Sequence, residues 1–211
     1  DDVAEALKDF GITVYAKRTT SEEEYFSFLH EVLNHEPDLI LDDGADLTVL
    51  AHMERKDALK KLKGVSEETT TGVRRLENLE KSGILRVPAI AVNNAKMKFM
   101  FDNRYGTGQS TLDSIMRNTN LLVAGKNFLV AGYGWCGRGI AMRVHGLGAK
   151  VMVTEVDPIK AIEAVMDGFE VGKIEELAPK ADFIVTATGV KDILSEEVIK
   201  NLKDGVVLGN A

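Results

Sequence analysis

Asp42-Asp43-Gly44-Ala45-Asp46, Ser66-Glu67-Glu68-Thr69-Thr70-Thr71-Gly72, Asn93-Asn94-Ala95-Lys96-Met97-Lys98 and Phe101-Asp102-Asn103-Arg104 gather carboxylates, hydroxyls, amides and a lysine in the first half of the chain. Carboxylates and a lysine in hydrogen-bond reach of a hydroxyl can move protons. Each cluster also has a plainer reading. Asp42-Asp43-Gly44 suits a turn with an Asx cap, and the Glu-Thr run suits a helix N-terminus. Lys98 and Asp102, at helical spacing, could form a surface ion pair contributing only about 0.3 kcal/mol. His30, His35, His52 and His145 show no metal-ligand spacing and are expected at the surface or partly packed. No H-x-x-x-H or C-x-x-C pattern occurs, so no metal site is expected.

A second set of residues is more specific. Asn127-Phe128-Leu129-Val130-Ala131 reads as a buried strand and runs directly into Gly132-Tyr133-Gly134-Trp135-Cys136-Gly137, after which Arg138-Gly139-Ile140-Ala141 begins a helix. In such a loop the first glycine makes the tight turn, the second lets backbone approach a pyrophosphate, and the third lets helix and sheet pack closely. The helix N-terminal amides, from Trp135, Cys136, Arg138 and Gly139 onward, then meet the anion. The following strand, Val151-Met152-Val153-Thr154, ends on Glu155, whose carboxylate can accept from two ribose hydroxyls and would repel a 2′-phosphate. Residues 127–155 are therefore expected to bind NAD rather than NADP. Cys136 reads as an inert small residue of the loop. Lys160 could touch the adenosine end or be a solvated helix lysine. Thr188 and Asn210, at later strand ends, belong where the nicotinamide half should lie.

The elements that must hold these groups alternate. Val3 to Asp9 reads as helix, 11–16 as strand, and Ser21-Glu22-Glu23-Glu24 as a capping box opening a helix to about Asn34. Asp38 to Leu41 is fully apolar after its aspartate, typical of a parallel strand buried on both faces. A charged helix (53–62), a short segment at Val65, a helix (71–81) and a strand (88–92) complete the first half. From about 95 to 110 periodicity is lost, Tyr105-Gly106-Thr107-Gly108 reads as a hinge, and a new helix is expected near Ser110. Strands follow at 127–131, 150–154, 183–188 and 206–208. This alternation predicts α/β architecture with two doubly wound parallel-sheet domains: a substrate domain over 1–104, and a Rossmann domain over 105–211, with the hinge near 94–108. Both ends look cut. Four strands are expected in the second domain, where a complete dinucleotide fold has about six.

Composition narrows the classes. With 45% hydrophobic and 28% charged residues, the chain has an ordinary globular balance. No apolar run approaches the roughly 20 residues that span a bilayer, and the first residues carry no signal-peptide pattern. A net charge of −7 offers no basic stripe for nucleic acid. The single cysteine, Cys136, excludes an intrachain disulfide and suits a reducing cytoplasm.

The acidic and threonine clusters, then Lys98 with Phe101-Asp102-Asn103-Arg104-Tyr105-Gly106, then Gly132-Tyr133-Gly134, then Thr154-Glu155-Val156-Asp157-Pro158, resemble S-adenosylhomocysteine hydrolase in order and spacing over essentially the whole chain. The resemblance implies tightly held NAD used catalytically. The ribose 3′-hydroxyl is oxidised, C4′–H becomes acidic, homocysteine leaves C5′, water adds, and the ketone is reduced again. On the matching positions it implies substrate contacts and catalytic roles for Asp43 (acid/base near C4′ and C5′), Glu68 (ribose hydroxyls), and Lys98 with Asp102 (the 3′-hydroxyl proton). Thr69, Thr70, Thr71 and Asn103 would lie near the nicotinamide riboside. It further implies a nucleoside thioether substrate and a homotetramer.

Departures are visible. Thr107 stands where many members carry cysteine, and Lys160 where asparagine is common. The family's amino-terminal substrate residues, the histidine after the segment matching Asn210-Ala211, and the C-terminal tail are not in this chain. Adenosine against a deaminated purine is left open. The competing readings are an ordinary NAD-dependent dehydrogenase and a non-catalytic NAD-binding regulator.

Overall fold

The computed structural model describes residues 2–18 and 21–211. It forms two compact units, one ending at Ala95 and one running from Lys96 to Ala211.

In the first unit, α1 (Asp2–Asp9) and α2 (Glu22–Asn34) precede β1 (Leu39–Asp42), α3 (Asp46–Met53), β2 (Gly64–Glu67), α4 (Thr70–Lys81) and β3 (Ala89–Ala91). Ser21 caps α2 by accepting from the Glu24 amide, as its spacing foretold. The strands pair in parallel in the order β1-β2-β3. Helices cover one face, where Ile40 and Val65 meet Leu33, Leu50, Leu76 and Leu79. The other face carries Leu39 and Leu41, 65% and 87% exposed, so the run predicted to be buried on both faces is buried on one.

Three local expectations fail here. Residues 12–18 join no sheet; Tyr15 instead sends its hydroxyl to within 3.0 Å of His35 Nε2. The helix expected at 53–62 lies earlier, at 46–53, because the left-handed Ala45 (φ 62°) turns the chain straight into α3; only a 3₁₀ turn occupies Ala58–Lys60. His52, expected at the surface or partly packed, is 2% exposed and so fully buried. Its Nδ1 lies 2.7 Å from the Thr48 carbonyl, and its Nε2 accepts from the Arg86 amide. That pair of partners fixes a neutral tautomer and a packing role.

The second unit begins with one continuous helical stretch: α5 (Lys96–Lys98), a π-helical segment (Phe99–Gly106) and α6 (Thr107–Thr119). Helix therefore starts at Lys96 rather than near Ser110. The irregular sequence is the signature of the π-helical turns, whose i→i+5 spacing breaks the ordinary period. Then come β4 (Asn127–Ala131), α7 (Trp135–Gly146), β5 (Lys150–Thr154), α8 (Pro158–Met166), β6 (Glu170–Val171), α9 (Ile174–Leu177), β7 (Phe183–Thr186), α10 (Glu196–Lys200) and β8 (Val207–Asn210).

The parallel order is β6-β5-β4-β7-β8. β4 is central, and the chain leaves it first towards β5 and later returns to its other side at β7. That reversal is the switch point at which doubly wound sheets bind ligands. Both faces are covered. Phe128, Val130, Val151, Val153 and Val185 pack with Ile140 and Val144 on one side. Leu129, Met152 and Ile184 pack with Leu177 and Val198 on the other. β6, of two residues, was too short to read from sequence.

Candidate functional site

The glycine loop leaves the C-terminal end of β4 at the switch point. Gly132 takes φ +104°, which a side chain would resist, and a Cβ there would stand 2.8 Å from the Ala187 carbonyl oxygen. A Cβ on Gly137 would lie 1.9 Å from Gly132 O, so the first turn of α7 can sit this close to the loop only without one. Gly134, the N-cap residue of α7, faces open space. This is the opening that the second glycine of a dinucleotide loop must leave for the pyrophosphate.

Glu155 stands at the end of β5. Its Oε2 accepts from the Tyr133 amide at 2.7 Å, and its Oε1 from the amides of Val156 and Asp157 at 2.8 and 3.0 Å. The carboxylate is thus fixed beside the loop. These residues fit a dinucleotide.

The other expected cofactor residues divide. Trp135 packs on Phe99 with ring centroids 4.9 Å apart. The Arg138 guanidinium lies 4.8 Å over the Trp135 ring and pairs with Glu163. Gly139 serves packing: a Cβ there would meet the Arg104 carbonyl oxygen at 1.7 Å, so it lets the π-helical segment lie against α7. Lys160 Nζ turns to Asp157, 3.5 Å away. Thr188 lies against Gly132. Asn210 Oδ1 accepts from Thr186 Oγ1 at 2.7 Å, across the ends of β7 and β8. Tyr133, fully buried, donates its hydroxyl to Asp167 Oδ2 at 2.6 Å. Burial, and next the Asp167 carboxylate, push that phenol far above the ordinary tyrosine range.

Also in the second unit, Lys98 Nζ donates to Asn103 Oδ1 at 3.0 Å and lies 3.3 Å from Asp102 Oδ2. The π-helical turn brings residues four and five positions on to the same side, so one ammonium reaches both. Asn103 Nδ2 reaches Cys136 Sγ at 3.6 Å, and that sulfur lies 3.8 Å from Thr107 Oγ1. The chain's one thiol therefore sits on α7 facing Thr107. Twenty-nine positions separate the two residues in sequence, and nothing in their spacing reveals this contact.

In the first unit, the register pairs Asp42 with Glu67, so Asp43 and Glu68 leave the sheet side by side at adjacent strand ends. Both are exposed. Asp42 organises the turn: its Oδ2 accepts from the Thr48 amide and hydroxyl at 2.8 and 2.7 Å, and its carbonyl accepts from the Glu68 amide at 3.0 Å. Thr69 is the N-cap residue of α4, while Thr70 Oγ1 accepts from Asn93 Nδ2 at 3.0 Å and Thr71 is exposed. Asp46 takes the Tyr25 hydroxyl at 3.0 Å and pairs with Arg75. Burial and Asp46 push Tyr25 up to about 12.

Glu67 is the residue the sequence reading missed. It is fully buried, and burial raises its carboxyl above the ordinary glutamate range while the Thr69 and Gly44 amides oppose the shift. Strand parity was the available signal, since Val65 and Glu67 share the inward face.

Two family models match this chain. One, described as S-adenosyl-L-homocysteine hydrolase, NAD binding domain, covers residues 103–211, and another, S-adenosyl-L-homocysteine hydrolase, covers 1–59. The chain belongs to the S-adenosyl-L-homocysteine hydrolase family. NAD is accordingly its cofactor. Among curated relatives, adenosylhomocysteinase of Thermotoga maritima is 67% identical over all of this chain and 52% of its own length. Its counterpart from Archaeoglobus fulgidus is 58% identical, again over 52% of that protein. S-inosyl-L-homocysteine hydrolase of Methanopyrus kandleri is 54% identical over 50%. The chain thus spans about half the length of these relatives. Among solved structures, a dipicolinate synthase chain from Bacillus halodurans superposes with TM-score 0.56 at 16% identity, over 72% of this chain and 53% of that one, a likeness of fold. Among the described residues, no helix is long and apolar enough to cross a membrane.

Proposed function

We propose that the full-length protein hydrolyses S-adenosyl-L-homocysteine reversibly to adenosine and homocysteine. The observation that carries this reading is Lys98, held between Asp102 and Asn103 in an NAD-binding unit. An ordinary 2-hydroxy-acid dehydrogenase would be expected to present histidine and arginine there instead.

When bound, NAD supplies reversible two-electron oxidation at the ribose 3′ carbon. Gly132 and Gly137 would shape the loop and seat α7 against it, Gly134 would leave room for its pyrophosphate, and Glu155 would receive its ribose. Lys98 takes and returns the 3′-hydroxyl proton, with Asp102 and Asn103 fixing the amine. Glu68 accepts from the substrate's ribose hydroxyls and sets their orientation. With C3′ at the ketone level, C4′–H is acidic. Asp43 accepts that proton and delivers one to the departing homocysteine sulfur as the C5′–S bond breaks. Water then adds its oxygen at C5′, and C4′ regains a proton.

The S-inosyl relatives favour a second reading of the same chemistry on a deaminated nucleoside. Incubating the full-length protein with homocysteine and either adenosine or inosine tests both. Formation of the matching thioether supports the corresponding reading; no thioether from either nucleoside, with NAD bound, removes both. The family resemblance also supports a homotetramer, and the lone thiol supports a cytoplasmic setting.

A further inference from the structure

Asp43 and Glu68, both exposed, sit on separate loops of the first unit, and one buried side chain fastens those loops to each other. Glu67 Oε1 accepts from the Gly44 amide at 2.9 Å and from the Thr69 amide at 2.8 Å. Gly44 follows Asp43, and Thr69 follows Glu68. The Gly44 turn needs such an anchor, because Gly44 (φ +95°) and Ala45 (φ +62°) are consecutive left-handed residues, a conformation that alanine resists. Glu67 Oε2 is buried without a well-formed hydrogen bond, although the Ala45 amide also favours the charged carboxyl.

Two features here work against stability. A carboxyl is buried with one oxygen short of a well-formed hydrogen bond, a costly arrangement, and Gly72 weakens the first turn of α4. A Cβ on Gly72 would lie 2.1 Å from the Glu67 carboxyl carbon. The glycine is therefore what gives the carboxyl its seat beneath both loops. A buried carboxyl and the glycine that admits it are explained together by a need to set the loops against each other.

We propose that Glu67 is a positioning residue: through one oxygen it clamps the Asp43 turn to the Glu68–Thr69 loop and fixes the spacing of the two substrate-facing carboxylates. This rests on the hydrolase reading given above. The clamp uses acceptor geometry, so glutamine, which retains an equivalent oxygen, preserves it. Burial already favours the neutral carboxyl that glutamine copies.

The experiment measures kcat and KM for thioether formation from adenosine and homocysteine, per NAD-loaded site, in the full-length protein and in Glu67→Ala, Glu67→Gln and Gly72→Ala. Misplacement by about 1 Å costs on the order of a hundredfold, so Glu67→Ala is expected to lose about that much in kcat/KM. Glu67→Gln should stay within about threefold. Gly72→Ala, which favours helix α4 yet displaces the carboxyl, should fall with the alanine variant and serves if Glu67→Ala does not fold. Wild-type kcat/KM per loaded site in Glu67→Ala or in Gly72→Ala overturns the clamp. So does glutamine as damaging as alanine. An inactive wild type fails the hydrolase reading itself; an active wild type with indifferent variants fails the clamp alone.

Discussion

Gly134→Ala and Gly137→Ala differ by three positions in one loop, yet the structure predicts opposite failures. At Gly134 the backbone (φ −71°, ψ −168°) suits alanine, and no atom lies within 4 Å of the added Cβ. Alanine there narrows the unfolded ensemble and should stabilise the unliganded protein by about 0.4–1 kcal/mol. The same methyl fills the opening through which a pyrophosphate must approach the backbone. Losing one charge-assisted hydrogen bond costs about 1.5–3 kcal/mol, so NAD binding should weaken roughly ten- to a hundredfold. At Gly137 the added Cβ would sit 1.9 Å from Gly132 O and 2.8 Å from Gly132 C. Both are backbone atoms, and they can yield only if α7 or the loop shifts. Overpacking costs about 1–3 kcal/mol, and a backbone clash this close belongs at the upper end. Urea denaturation of the NAD-free protein, with calorimetric titration of NAD, separates the two effects. If Gly134→Ala binds NAD within about twofold of wild type, the opening at Gly134 is not the pyrophosphate's place and the reasoning fails.

Lys98→Ala should lower the first-step oxidation rate by about a hundredfold or more with an unchanged denaturation midpoint; normal formation of reduced cofactor on substrate addition would count against Lys98 as the base. Asp182 accepts from Lys203 Nζ and from the Asn127 amide, each at 2.8 Å, and these hold its carboxyl below the ordinary range. A depressed folded pKa gives stability that is present above the unfolded value and lost as pH falls through the folded one, so the second unit should weaken below about pH 4. Asp182→Asn should flatten that acid limb; an unchanged limb would remove Asp182 as its source.

The glycine loop was legible because a backbone constraint writes itself as residue type at fixed spacing, and Glu155 followed from counting one strand onward. The strand-end positions of Asp43 and Glu68 were legible through their clusters. Of the 96–119 helix only the part from about Ser110 was legible, since the π-helical turns before it shift the period that marks a helix in sequence. The run at 11–16 alternates as a strand should, yet a strand needs a partner, and pairing is not a local property. Between Glu67 and Glu68 the sequence could not choose by type. Only the inward parity set by Val65 distinguishes the buried anchor from its exposed neighbour. Cys136 and Thr107 were legible singly, but their approach at 3.8 Å depends on how α6 packs on α7. Gly108 and Gly139 permit that packing, a Cβ on Gly108 falling 2.6 Å from Gly139 backbone.

In the proposed reaction the cofactor is lent and recovered within each turnover. Full-length protein loaded with NAD and mixed rapidly with nucleoside and homocysteine, followed by the absorbance of reduced nicotinamide and by product analysis, tests it most directly. The prediction is a transient rise and decay, with thioether formed over many turnovers and the bound NAD returned in full. Reduced cofactor accumulating in step with product would contradict it and mark the protein as a dehydrogenase.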